Sequence, residues 1–183
     1  VFTLALIAAD LMIASWGFNP SSDPMWLSFT PPAVSWLQTN AVGWRYTSLD
    51  DPNQLRVMNA NVGLRYGLDD IRGYESIIPR QYVDYMQQIM PQVQLEFNRI
   101  APIYVDRIAS LESPLLDLLN VRYVLSNLST DIPGWNVVYE DAAVRIWENP
   151  GAMPRASVVA ADTFNPAALF PPAEYTTATI THD

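Results

Sequence analysis

Residues Asn59 to Arg80 read Asn-Ala-Asn-Val-Gly-Leu-Arg-Tyr-Gly-Leu-Asp-Asp-Ile-Arg-Gly-Tyr-Glu-Ser-Ile-Ile-Pro-Arg, and no single helix or strand accommodates them. Gly63, Gly67 and Gly73 interrupt the run, and glycine is the residue that allows positive φ or close backbone approach. The same stretch is too apolar and aromatic for a solvated linker. A segment of this kind lies over a scaffold and presents side chains from it, so the rest of the chain has to supply ordered elements on either side. Arg65, Tyr66, Asp69, Asp70, Arg72, Tyr74 and Glu75 are grouped around the glycines. They either pair with one another in a packed structural loop or face a ligand.

The 183 residues are enough for one large domain, or one domain with an appendage, and for a real core. With 50% hydrophobic and 16% charged residues, the chain is apolar for a soluble protein but well short of a polytopic membrane protein. Its formal charge is -9, and every basic residue is Arg. Acidity without a basic cluster argues against nucleic acid as a partner, since phosphate binding needs concentrated positive charge. It equally disfavours electrostatic attachment to anionic lipid. The absence of cysteine excludes disulfides, thiolate metal sites and cysteine nucleophiles. His182 stands next to the last residue, so no His-based catalytic or zinc site is expected, and no cofactor is implied. Val1 in first place and a closing Thr-Ala-Thr-Ile-Thr-His-Asp that reads like a strand just starting point to a piece of a longer protein.

Residues 1 to 18 are the longest apolar run, at the low edge of length for a membrane span. Asp10 in its middle costs on the order of 3 kcal/mol in a bilayer. The run reads as a strand buried on both faces between Leu4 and Ala14, or else as the stub of a membrane helix, within a first segment 1–20. A soluble α/β domain is expected over 21–163, and a linker with the start of a following β-rich domain over 164–183. In the soluble part a short helix from Ala33 to Thr39 directs Val34, Trp36 and Leu37 at a core. Trp44 to Leu49 reads as a strand, and Asp50-Asp51-Pro52-Asn53 as a turn. Pro79 opens a helix whose Tyr82, Tyr85, Met86, Ile89 and Val93 form an apolar stripe. Pro91 and Pro102 interrupt it, leaving one or two helical pieces between Val93 and Leu111. Ser113 caps a turn from Pro114 to Leu119, and Asn120 ends it.

Val121 to Ser126 is the clearest strand, with Val121, Tyr123 and Leu125 alternating against Arg122, Val124 and Ser126. Asn136 to Glu140 and Val144 to Glu148 pair as a hairpin across Asp141-Ala142-Ala143. Further strands are expected at Arg155 to Ala160 and Thr176 to Thr181, with a loop from Phe164 to Pro172. The fold class is α/β, with α+β as the alternative: a mixed sheet of about five to six strands carrying helices, with a C-terminal hairpin.

Asp70 with Glu75 is the carboxylate pair that could flank a scissile glycosidic bond, which requires separations of roughly 5 to 10 Å. The opposing reading neutralises these acids by Arg65, Arg72 and Arg80. No phosphate-binding loop, nucleophile elbow or metal motif is present. Tyr66 and Tyr74 are candidates for stacking on sugar rings, the other aromatics belonging to the core. Asn127-Leu128-Ser129 matches a glycosylation sequon.

Four pieces in order resemble a known family. They are the apolar run with Asp10-Leu11 followed by Gly17-Phe18-Asn19-Pro20; the segment Asn59 to Arg80; Leu115-Leu116-Asp117-Leu118-Leu119-Asn120-Val121-Arg122-Tyr123-Val124-Leu125; and Val138-Tyr139-Glu140-Asp141 with Val144-Arg145-Ile146-Trp147-Glu148-Asn149-Pro150 and Pro154-Arg155-Ala156. The chain resembles the YfhO-type bacterial membrane proteins, multi-span relatives of lipid-carrier-dependent glycosyltransferases. Ala142 departs from the Gly expected in the hairpin turn. The resemblance implies a water-exposed part on the extracytoplasmic side of a bacterial membrane, packed on the membrane-embedded part of its parent. A supporting role in positioning an acceptor glycan or cell-envelope polymer fits that placement, and the polar, glycine-punctuated segment offers Asn61, Tyr66, Asp70, Tyr74 and Arg80 for it through hydrogen bonds and ring stacking. The catalytic carboxylate of such a parent matches no position here, so the piece has no turnover alone. A structural module and a glycosidase or carbohydrate-binding piece are the alternatives.

Overall fold

The computed structural model describes residues 2–18, 22–91 and 99–156. The chain divides into two units, Val1–Pro31 and Pro32–Asp183. In the first, α1 (Phe2–Ser15) is a helix with no buried residue, and α2 (Met25–Ser28) is a single turn. The buried strand expected from Leu4 to Ala14 is therefore a helix. An unbroken apolar run carries no periodicity to separate the two states, and its Ala and Leu content favours helix. No described helix is long and apolar enough to cross a membrane.

The second unit is the mixed α/β sheet that the alternation of elements predicts. Its strands are β1 (Arg45–Asp50), β2 (Asp69–Asp70), β5 (Ile103–Tyr104), β6 (Val121–Ser126), β7 (Asn136–Glu140) and β8 (Arg145–Glu148). The order is β2-β1-β6-β8-β7, with β5 also paired to β1. Strands β2, β5 and β6 run parallel to β1, whereas β8 is antiparallel to both β6 and β7. The short strands β3 (Gly73–Tyr74) and β4 (Arg99–Ile100) form a separate antiparallel pair.

Both faces of the sheet are covered. On one, α3 (Pro32–Asn40) buries Ala33, Val34 and Leu37 against Tyr46, Tyr123, Leu125 and Ile146, with Trp36 edge-on to the Tyr123 ring at 5.3 Å. On the other, Met86 and Ile89 of α4 (Arg80–Ile89) and Leu116 of α5 (Pro114–Leu118) pack on Leu49, Val124 and Trp147. The apolar stripe of α4 is thus core as far as Ile89, and Val93 lies outside the described residues. Strict alternation along β6 fails at one place. The β1–β6 register slips between Arg45 and Tyr46, and this bulge turns Val121 to the face of Val124 rather than that of Tyr123.

The helical pieces expected between Val93 and Leu111 are mostly something else. Arg99–Ile100 and Ile103–Tyr104 are two-residue strands, and Val105–Glu112 is 3₁₀ helix kinked at Arg107. Pro102 separates the strands, and pieces this short leave no period to read. The strand expected from Arg155 extends beyond the described residues, as do the tail features at 164–172 and 176–181.

Side chains close the remaining turns. Ser113 Oγ accepts from Leu115 N, as expected of a cap. Ala142 stands without strain where a glycine is expected, since no positive φ falls there. Instead Asp141 Oδ1 accepts from the amides of Ala143 and Val144 at 2.7 and 2.9 Å. Asn120, at φ 64°, ends α5 as foreseen, and its amide donates to Met153 O at 2.7 Å. Asn149 donates to Asp117 Oδ1 at 2.7 Å, tying the turn after β8 to α5.

The central segment is held to the sheet by close approach. A Cβ built on Gly63 would overlap the Tyr46 hydroxyl and lie 3.1 Å from its Cζ. Gly63→Ala is expected to cost about 1–3 kcal/mol in urea unfolding. Tyr46 Oη forms no hydrogen bond of good geometry with any described residue, so Tyr46→Phe is expected to change stability little and to recover much of the Gly63→Ala loss in the double variant. Additive losses would show that the Tyr46 hydroxyl is not what Gly63 accommodates.

Candidate functional site

β1 reads Arg-Tyr-Thr-Ser-Leu-Asp, a polar sequence for an inner strand, and Thr47, Ser48 and Asp50 are all buried. Buried polar groups require partners. The segment after β2 supplies one: Arg72, whose side chain is 1% exposed. Its Nε and Nη2 donate to the Asp70 carboxylate at 3.0 and 2.7 Å. Its Nη1 donates to Ser48 Oγ at 2.6 Å and to Met58 O at 3.0 Å. Burial opposes the Arg72 charge, and Asp70, Tyr46 and Asp50 together outweigh it, so the guanidinium pKa lies above its ordinary value. Losing one member of such a pair strands a buried charge, at roughly 3–5 kcal/mol.

Asp50 is the uncompensated member of this cluster. Arg72 Nη1 is 3.9 Å away, and neither carboxylate oxygen has a hydrogen-bond partner of good geometry. Burial raises its pKa, against the opposing pull of Arg72, hydrogen bonding by Ser48 and the charge of Arg56, while Asp70 adds to the rise. With Asp70 and Arg72 already balanced, a charged Asp50 would be in excess.

A cleft of about 290 Å³ opens beside the cluster. Arg45, Asp70, Arg72 and Glu75 give it polar corners, and Ile77, Ile78, Pro79, Tyr82 and Ile100 an apolar wall. Tyr82 cannot serve there as an acid or base near neutrality. Its hydroxyl donates to Ile71 O at 2.6 Å, and burial pushes its pKa up to about 12.

The five residues singled out in the sequence do not converge on this cleft. Asp70 lines it but is bound to Arg72. Asn61, at φ 69°, donates to Tyr74 O at 2.7 Å and to Glu75 Oε1 at 3.0 Å, and accepts from Tyr74 N at 3.2 Å. It clasps the two arms of the segment together. Tyr74 is 60% exposed. Tyr66 is half-buried against the α3 face, with Arg65 over its ring at 5.8 Å. Arg80 is exposed at the start of α4 and pairs with Asp84 at 3.6 Å. Asp69 pairs with Arg155. Asp70 and Glu75 are each engaged by another side chain, and among the described residues no group of acids and histidines could hold a metal ion. Sequence reasoning missed Arg45, Ser48, Asp50 and Tyr82. Polar residues at alternate positions of an inner strand were the signal for two of them.

The Asp50 environment sets a pH dependence. The folded protein keeps a proton that the unfolded chain releases, so stability is expected to fall as pH rises above the ordinary carboxylate value of 3.8, until Asp50 ionises in the folded state. Asp51, lowered chiefly by the Asn53 amide, and Asp141, lowered chiefly by the Tyr139 hydroxyl, have the opposite sign and act below that window. Urea unfolding from about pH 4 to 8 measures the slope, which Asp50→Asn is expected to remove; an unchanged slope would assign it elsewhere. No family model, curated protein or solved structure matches the chain.

Proposed function

We propose that the chain is a water-exposed module on the extracytoplasmic side of a multi-span bacterial membrane protein of the glycosyltransferase-like kind that it resembles, without turnover of its own. The carrying observation is α1: fourteen residues, apolar but for Thr3, Asp10 and Ser15, with none buried. A protein groove covers one face of a helix, whereas an apolar phase covers all of it. At about 1.5 Å per residue the helix is shorter than a bilayer core, and Trp16 and Phe18 just beyond its end suit the interface with water. The ion pairing within Asn59 to Arg80 supports a positioning role over a reactive one.

Flotation of the full chain with vesicles tests this reading. The chain is expected to float with neutral phosphatidylcholine vesicles at least as well as with anionic ones, given a charge of -9. Leu6→Asp with Ile13→Asp is expected to abolish flotation while the second unit keeps its unfolding transition. A chain that stays with the protein fraction despite an intact α1 contradicts the proposal.

The exposure of Tyr74 favours the acceptor-positioning role within this reading, because a free ring can stack on a sugar. NMR titration with oligosaccharide or teichoic-acid fragments is expected to shift Tyr74 and its neighbours, and Tyr74→Ala to remove the response without loss of fold. Unfolding of that variant would instead mark the ring as structural.

A further inference from the structure

The cleft beside β1 contains a cation, Arg45, that no anion among the described residues meets. Arg45 is half-buried, its Nη1 donates to Leu119 O at 3.2 Å, and it forms no ion pair among the described residues. Arg72, Arg122, Arg145 and Arg155 by contrast each meet a carboxylate. The neighbouring polar groups do not compete for it, since Asp70 is held by Arg72 and the Tyr82 hydroxyl by Ile71 O. Glu75 Oε1 accepts from Asn61. Opposite lies a wall of Ile77, Ile78, Pro79 and Ile100, with Ile77 exposed to solvent. At Gly73 an added Cβ would meet nothing within 4 Å, so the cleft has free space along β3.

We propose that this cleft binds a small amphipathic monocarboxylate, its head on Arg45 and its aliphatic body along the isoleucines. The volume, about 290 Å³, is at the small end of ligand cavities, which limits the occupant to a short chain. The planar guanidinium fork matches a carboxylate or a phosphate. Charge separates the two: Arg72 and Asp70 cancel within the lining, leaving Glu75 against Arg45, so a second negative charge on the ligand meets no second free cation there. The apolar wall contributes through burial of the ligand body. This assignment stands apart from the membrane reading and survives its failure.

Octanoate, octanamide and octyl phosphate, titrated separately into the full chain and followed by amide chemical shifts, test the proposal. Octanoate is expected to shift Arg45, Gly73, Ile78 and Tyr82, with octanamide weaker by about tenfold, the range of a charged hydrogen bond. Octyl phosphate is expected to bind less tightly than octanoate. Arg45→Gln is expected to weaken octanoate about tenfold, and Gly73→Leu to fill the space and abolish binding while retaining the unfolding transition. Equal affinity for octanamide, tighter binding of octyl phosphate, or shifts confined to α1 would each overturn it, as would no saturation by about 10 mM. The comparison of the three ligands needs no variant, so a misfolded Gly73→Leu leaves it decisive.

Discussion

The contact between Arg72 and the polar face of β1 is the one on which the rest of the second unit depends. An inner strand carrying Ser48 and Asp50 cannot be covered by hydrocarbon alone, because each hydroxyl or carboxyl taken from water needs a replacement partner. The guanidinium answers that need at Ser48 with donors fanned out in one plane, and it brings its charge to within 3.9 Å of Asp50. To bring it there, the chain must leave α3, cross β1, turn through the 3₁₀ helix Val62–Tyr66 and return alongside β1 as β2. Gly63 lets the turn lie on the Tyr46 ring, and the left-handed Asn61 and Gly67 flank it. The segment is structurally demanding for this reason, rather than because it holds a reactive centre.

Much of the scaffold was legible because its signals are local. The β6 strand alternates, Asp141 and Asn120 mark their turns, Ser113 caps α5, and Pro79 stands immediately before α4. The hairpin was found even though Ala142 replaces the usual glycine, since the aspartate before it bonds the next amides itself. What could not be read was non-local. Nothing near residues 99 to 104 announces two-residue strands, whose state is set by their neighbours in space. The apolar opening was ambiguous for a different reason: with no polar face, helix and buried strand have the same sequence signature.

The site was legible in outline and not in assignment. Asp70 belongs to it, and the reading in which arginines neutralise the acids holds for Asp70 with Arg72. Which arginine goes to which acid is a three-dimensional fact, however. Arg72 reaches back two residues, Arg155 crosses 86 to reach Asp69, and Arg45 is left facing the cleft. Sequence spacing ranks none of these. Asn61 was singled out as a ligand group, yet its hydrogen bonds are spent inside the loop.

The central ladder has a kinetic consequence. β1 meets its main neighbour, β6, only after the whole intervening chain has been made: Ser126 Oγ donates to Leu49 O across 77 positions. Bringing such distant residues together carries its loop-closure entropy before any strand pairing rewards it. On a ribosome, β1 therefore emerges well before its main partner and can meet β2 and Arg72 while β6 is still unmade. The hairpin of β7 and β8, made of near neighbours, is a part of the sheet that can assemble as soon as it clears the exit.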